Sequence, residues 1–214
     1  MKTLFTLIIA FIGLTLFSCR KDKNADNSDL TKYFYLSNSL TPYKFKTGSY
    51  WIYENDSTST LDSVVVTSTE NDFYWSPPSV HGQPGTKYEF YKINLKSFAT
   101  SQTYNDYLTN SYIKRNGSGD YGQNGQPIFM ANRDTGTIFN GMKIIAKFPT
   151  MTINSNSFIN VVETKITASQ QYQPMFSYDT YLYFTDTIGL IKKVTDLGSS
   201  NLESWSIKRW AVTK

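Results

Sequence analysis

Nucleophile and metal chemistry can start from very few groups in this chain, because Cys19 is its only cysteine and His81 its only histidine. A Ser-His-acid triad would have to use His81, which sits in the turn-rich segment Ser76-Pro77-Pro78-Ser79-Val80-His81-Gly82-Gln83-Pro84-Gly85, and no G-x-S-x-G elbow is present to offer the serine. A zinc ion on that one imidazole would need several carboxylates around it. A loop histidine near solvent is therefore expected. Gly117-Ser118-Gly119-Asp120-Tyr121-Gly122 fits G-x-G-x-x-G letter by letter, but the phosphate-binding form opens a helix whose N-terminal amides face the phosphate. Here Gln123-Asn124-Gly125-Gln126-Pro127 follows, which is turn chemistry. Asp120 and Asn124 beside Gly125 lack the later bidentate acid of a calcium loop. No cofactor and no metal is expected. Among the carboxylates, Glu89, Glu163 and Glu203 fall on predicted strands, and a glycan hydrolase would require two of them within roughly 5 to 10 Å of each other in one cleft. Outward strand charges also serve simply to guard sheet edges.

Aromatic side chains are the more distinctive resource, at 16% of the chain. Phe73-Tyr74-Trp75 precedes the Pro-rich loop, and Tyr104, Tyr107, Tyr112 and Tyr121 surround the Gly-rich one. Rings at a sheet rim bury much area at low entropic cost, so they suit a glycan, a peptide or an envelope protein as partner. Tyr74, Trp75 and Tyr121 are the expected ligand contacts; the alternative for the same rings is to cap the ends of the core. The formal charge is +4, with lysines and arginines scattered rather than striped, which argues against a nucleic-acid partner.

The elements that must position these groups are strands. Ser, Thr, Asn and Tyr abound while Ala and Glu are sparse, which favours strands and turns over helices. In Gly48 to Asn55, Tyr50 and Ile52 share one face and Trp51 and Tyr53 the other, so both faces are apolar. Asn55-Asp56-Ser57 then turns into a strand from Leu61 to Thr69, making a hairpin. Further strands are predicted at Lys87–Leu95, Ser111–Lys114, Pro127–Ala131, Lys143–Phe148, with Ile144, Ala146 and Phe148 inward, and Phe158–Ile166, with Phe158, Val162 and Ile166 on one face. Ser97 to Leu108 lacks strict alternation and is expected to include a short helix. Asp179–Thr185, Gly189–Thr195 and Leu202–Thr213 make a three-stranded antiparallel meander, with Gly189 free to take the positive φ of a tight turn. The fold class is mainly β: a curved antiparallel sheet, as a half-barrel or a two-layer sandwich, in a single domain with long loops.

The N-terminus supplies an address. Met1-Lys2 leads into an apolar run from Leu4 to Phe17, interrupted only by Thr6, Gly13 and Thr15. That is shorter than the roughly 20 residues a spanning helix takes and has the flanks of a signal peptide. Residues 20–32, RKDKNADNSDLTK, hold no aromatic ring and little apolar surface, as a flexible tether would, with a reach of roughly 20 Å. Leu16-Phe17-Ser18-Cys19 resembles the lipobox of bacterial lipoproteins, which implies that Cys19 is diacylated and heads the mature chain. Acylation would also remove the one thiol that no disulfide can pair, and two acyl chains give stable anchoring.

The charged Arg20-Lys21-Asp22 resembles the segment behind the cysteine of Bacteroidetes-type lipoproteins. Gly48-Ser49-Tyr50-Trp51-Ile52-Tyr53-Glu54, Ser157-Phe158-Ile159-Asn160-Val161-Val162 and YLYFTDTIGLIKKVTDLG (181–198) resemble strands of uncharacterised secreted lipoproteins of that type. The resemblance implies a curved antiparallel sheet, no known activity, and attachment to the outer membrane, with the periplasmic or surface face undecided. The organisation expected is a signal peptide at 1–18, lipidated Cys19 and tether over 19–32, and one β-rich domain over 33–214. The functional expectation is a non-enzymatic binding or structural module of the envelope. The alternatives are a carrier of a hydrophobic, lipid-like ligand in a β cavity, and a surface glycan hydrolase.

Overall fold

The computed structural model describes residues 31–77, 85–117, 125–168 and 177–214. Cys19, residues 1–18 expected as a signal peptide, residues 20–30 of the expected tether, His81, Asp120, Tyr121 and Asn124 lie outside the described residues. The chain divides into two compact units, one of residues 1–32 and 76–86 and one of residues 33–75 and 87–214. Of the first, few residues are described; in it the Lys32 amide donates to the Gly85 carbonyl at 3.0 Å.

The second unit is built on one antiparallel sheet of 13 strands, curved into a nearly closed barrel. In chain order the strands are β1 (Lys32–Phe34), β2 (Tyr50–Asn55), β3 (Leu61–Ser76), β4 (Thr86–Ser97), β5 (Thr103–Thr109), β6 (Tyr112–Gly117) and β7 (Gln126–Met130). They continue as β8 (Ile138–Phe139), β9 (Met142–Ile153), β10 (Asn156–Ile166), β11 (Asp179–Thr185), β12 (Gly189–Asp196) and β13 (Leu202–Ala211). Neighbours in sequence are neighbours in the sheet from β2 to β7 and from β8 to β13, and β13 pairs with β2, which joins the two runs. The sheet therefore ends at β7 and β8. Across that gap Thr164 Oγ1 of β10 donates to the Ile128 carbonyl of β7 at 2.8 Å, and Gln126 Nε2 donates to the Asn140 carbonyl at 2.9 Å. Side-chain bonds do here what a ladder would do in a closed barrel.

Of the two architectures left open by sequence, the chain takes the single curved sheet. The hairpin β2–β3 forms with Tyr53 opposite Asp62 and Trp51 opposite Val64, and Asn55 Oδ1 accepts from the Ser57 and Thr58 amides to make the expected turn. The C-terminal meander β11–β12–β13 also forms, and Gly189 has φ +91°. The Phe45 ring lies 3.0 Å from where a Cβ on Gly189 would stand, so glycine serves close approach as well as the turn.

Two local expectations are corrected. Residues 103–109 form β5 rather than a short helix, because Tyr104, Asp106 and Leu108 alternate inward opposite Leu95, Ile93 and Tyr91 of β4. The only helical turns among the described residues are the 3-10 segment Asn38–Tyr43, which buries Leu40 and Tyr43. In β10 it is Val161, not Val162, that is fully buried. Asn160 has φ +53° and, standing across from Pro149, takes no partner in the ladder with β9; this left-handed residue breaks the alternation and turns the next side chain to the core face.

An open cavity at one end of the barrel

Alternation along each strand puts one row of side chains inside the barrel, and the rows change character from one end to the other. The first end is filled. Leu40, Tyr43 and Phe45, on and just after the 3-10 segment, plug it against Trp51, Phe129 and Phe184. Phe45 meets Trp51 edge-on at 5.0 Å, and Tyr43 and Phe184 lie 4.9 Å either side of Phe129. The plug is also bonded: Trp51 Nε1 donates to the Ile188 carbonyl at 2.7 Å, Tyr91 Oη to the Phe45 carbonyl at 3.2 Å, and Tyr43 Oη to Asp186 at 3.1 Å. On its inner side the plug leaves a void of about 60 Å³, and on its outer side Tyr43, Phe129 and Asp186 border a shallow groove of about 450 Å³.

The second end opens into a cavity of about 750 Å³. Register fixes its walls: Tyr53 faces Asp62, Arg115 faces Asp106, and Lys193 lies between Leu182 and Trp205 on neighbouring strands. Tyr53, Val64, Tyr104, Arg115 and Leu190 border both the cavity and the small void, so the two adjoin through these side chains.

Five charged groups at this end are set in different ways. Arg115 and Asp106 form a two-armed pair, Nε to Oδ1 and Nη2 to Oδ2 both 2.7 Å, with each side chain 13% exposed. The Arg115 guanidinium also lies 4.5 Å over the Tyr104 ring. Burial alone would lower the guanidinium's pKa; Asp106 more than reverses that, and the net shift is upward. Tyr104 itself is pushed up to about 12, chiefly by burial. Asp62 is held by the rim, accepting from Ser97 Oγ at 2.9 Å and from the Ala99 amide at 3.0 Å.

Lys193 and Glu203 differ. Neither is in an ion pair within 4 Å among the described residues, whereas Arg115 has such a partner. Burial pushes the Lys193 ammonium below its ordinary value, Glu203 and Asp62 raise it, and Arg115 lowers it further.

The residues expected to contact a ligand are elsewhere. Tyr74 stacks at 4.9 Å on Tyr88, which stacks at 5.2 Å on Phe34, while Trp75 is 47% exposed. Adjacent positions on β3 point the Tyr74 and Trp75 rings to opposite faces of the sheet, so they do not form one platform. Tyr121 is outside the described residues. The three glutamates do not share a cleft either. Glu203 lines the open cavity; Glu89 accepts from the Leu36 amide at 3.0 Å and lies 3.6 Å from Lys44; Glu163 accepts from Tyr183 Oη, on the face opposite Leu182 and Phe184. Among the described residues no group of three His, Cys, Asp or Glu side chains is arranged to hold a metal.

Reading charges as outward by default hides Lys193, Arg115, Asp106 and Asp62. A usable signal is present in Lys114-Arg115 and Lys192-Lys193: two consecutive basic residues in a strand point to opposite faces, so one of each pair has to sit inside. No protein-family model matches the chain, and no curated protein matches it.

Proposed function

We propose that this chain is a lipid-anchored protein of the cell envelope whose barrel-like domain takes up a small amphipathic ligand, without chemistry, in the open cavity. One observation carries the binding half: a cavity of about 750 Å³ with mixed polar and apolar walls, at one end of a barrel whose other end is packed shut. That volume lies within the roughly 300 to 1,000 Å³ typical of small-molecule sites. The void beneath it, about 60 Å³, is too small for an acyl chain, which favours a compact ligand over a lipid tail. The anchoring half rests on the apolar leader and on Cys19 in its lipobox-like setting. Two acyl chains there would hold the domain at the outer membrane through the 20–32 tether.

The neutral fluorophore N-phenyl-1-naphthylamine tests the cavity. It is expected to bind the full chain saturably, and Leu190→Trp, which places a larger side chain in the cavity wall, should weaken uptake at least tenfold while the melting transition stays cooperative. Uptake unchanged by Leu190→Trp removes the cavity reading. Radiolabelled palmitate tests the anchor: label should enter the wild type and not Cys19→Ala, and equal labelling of the two removes it.

A further inference from the structure

Two charged side chains of the open end and one buried hydroxyl beside them have no ion-pair or hydrogen-bond partner among the described residues, and together they specify a ligand more narrowly than the cavity does. Lys193 and Glu203 have no ion pair within 4 Å among the described residues, although Lys193 is largely desolvated and Glu203 is the nearest source of opposite field. Thr195, two residues beyond Lys193 and so on the same face, stands directly opposite Glu203 in the β12–β13 ladder. It is 7% exposed, and its hydroxyl has no hydrogen-bond partner among the described residues. Buried polar atoms are almost always satisfied, and each one left unmet is costly.

The other charges of the cavity are already committed. Asp106 takes both arms of Arg115, and Asp62 takes Ser97 and the Ala99 amide. What remains for a ligand is one ammonium and one carboxylate on the cavity wall, beside the Trp205 and Tyr104 rings, with the Thr195 hydroxyl next to them across the ladder from Glu203. A purely anionic ligand would meet Lys193 but be repelled by Glu203, and a purely cationic one would have the opposite fault. Both charges are answered only by a molecule that carries both.

We infer that the cavity selects a compact zwitterion with an apolar body, of the chemical class of an aromatic α-amino acid: its carboxylate on Lys193, its ammonium on Glu203, a hydrogen bond to Thr195 and its body against Trp205. This inference rests on the cavity reading given above and sharpens it.

Titration calorimetry of the full chain with L-phenylalanine, 3-phenylpropanoate and 2-phenylethylammonium tests it, since the three share one ring and differ in charge. Phenylalanine should bind at least tenfold more tightly than either single-charge compound. Lys193→Met should erase its advantage over phenylethylammonium, and Glu203→Gln its advantage over phenylpropanoate, each variant being checked for a cooperative melt. Equal binding of all three compounds, or a ranking unaltered by both substitutions, overturns the inference; if the neutral naphthylamine still enters the wild type, the cavity itself survives. Should neither the fluorophore nor any of the three compounds bind, both readings fall together.

Discussion

The two ends of the barrel are made by the same strands, continued in opposite directions, and hold opposite kinds of side chain. Moving along β2, the inner row runs Trp51, Tyr53, Asn55; along β12 it runs from Leu190 to Lys193 and Thr195. At the plugged end every inner residue meets another ring or alkyl group, and the polar atoms that reach it, Tyr43 Oη and Trp51 Nε1, are tied to Asp186 and the Ile188 carbonyl. At the open end charge is plentiful and only partly paired. The difference separates two tasks that one small core could not combine: dense packing supplies stability where there is nothing to bind, and unmet polar groups are tolerated where a ligand can meet them.

The largest effect that would test this division comes from truncation in each half. Leu108, fully buried near the plug, should cost about 3 to 5 kcal/mol as Leu108→Ala, the usual range for a core leucine. Trp205, half-buried at the cavity, should cost only about 1 kcal/mol as Trp205→Ala despite its larger ring, because one side of it already faces open space. Urea denaturation reads both. Equal losses would mean that the open end is packed like the plug, and the comparison would fail.

The Arg115–Asp106 pair lies on the boundary between the halves and sharpens it. Arg115→Met leaves the Asp106 carboxylate buried without its partner and should destabilise by about 3 kcal/mol, whereas the double change Arg115→Met with Asp106→Leu should return to within about 1 kcal/mol of wild type. A double-mutant cycle measures the coupling. If the double variant is as unstable as the single one, the pair is not simply a neutralised charge in an apolar wall.

Much of this arrangement is legible in the sequence, and the exceptions have specific causes. The meander β11–β13 is read correctly because Tyr181 to Phe184 alternate cleanly and Gly189 marks the turn. Val161 is missed because Asn160 takes a positive φ and breaks the alternation, and an alternation count runs through it as if the strand were regular. The plug is missed because Asn38–Tyr43 is a single 3-10 segment containing Pro42, too short to carry any periodicity. The cavity charges are missed for a different reason. Pattern reading sends lysine, arginine and aspartate outward, and only closure of the sheet turns the inner face of β5, β6 and β12 into an enclosed wall where such groups must be paired or left for a ligand.

The rim of the open end should be looser than its polar appearance suggests, and Ser97 measures by how much. Its hydroxyl donates to Asp62 and accepts from Thr100 Oγ1 at 2.8 Å and the Thr100 amide at 3.3 Å, so it is the hinge pin of the β4–β5 turn. Ser97→Ala should cost about 1 kcal/mol and speed amide exchange at Ala99 and Thr100 while leaving exchange at Leu108 unchanged. Loss of protection at Leu108 as well would show that rim and plug unfold as one unit.

The smallest expected effect is the most informative, because its sign is opposite to the others. Lys193 is desolvated in the cavity wall and has no counter-ion within 4 Å among the described residues, so without ligand Lys193→Met should stabilise the protein by about 1 kcal/mol, read as a rise in the urea midpoint at neutral pH. The pH dependence fixes the cause. The folded-state pKa is depressed while the unfolded lysine titrates near its ordinary 10.5, so between those two values the unfolded chain binds more protons and wild-type stability rises with pH. Tyr104, pushed up to about 12, titrates close above with the opposite sign, and so the quantity to follow is the difference between wild type and Lys193→Met. That difference should be largest at neutral pH and shrink as pH climbs to 10.5. A ligand carboxylate on Lys193 should raise the ammonium's pKa again, making binding take up protons in the same window and shrinking the benefit of the substitution when ligand is present. A stability difference that stays constant across the window would mean that methionine merely packs better, and that Lys193 is not an ammonium held in reserve for a ligand.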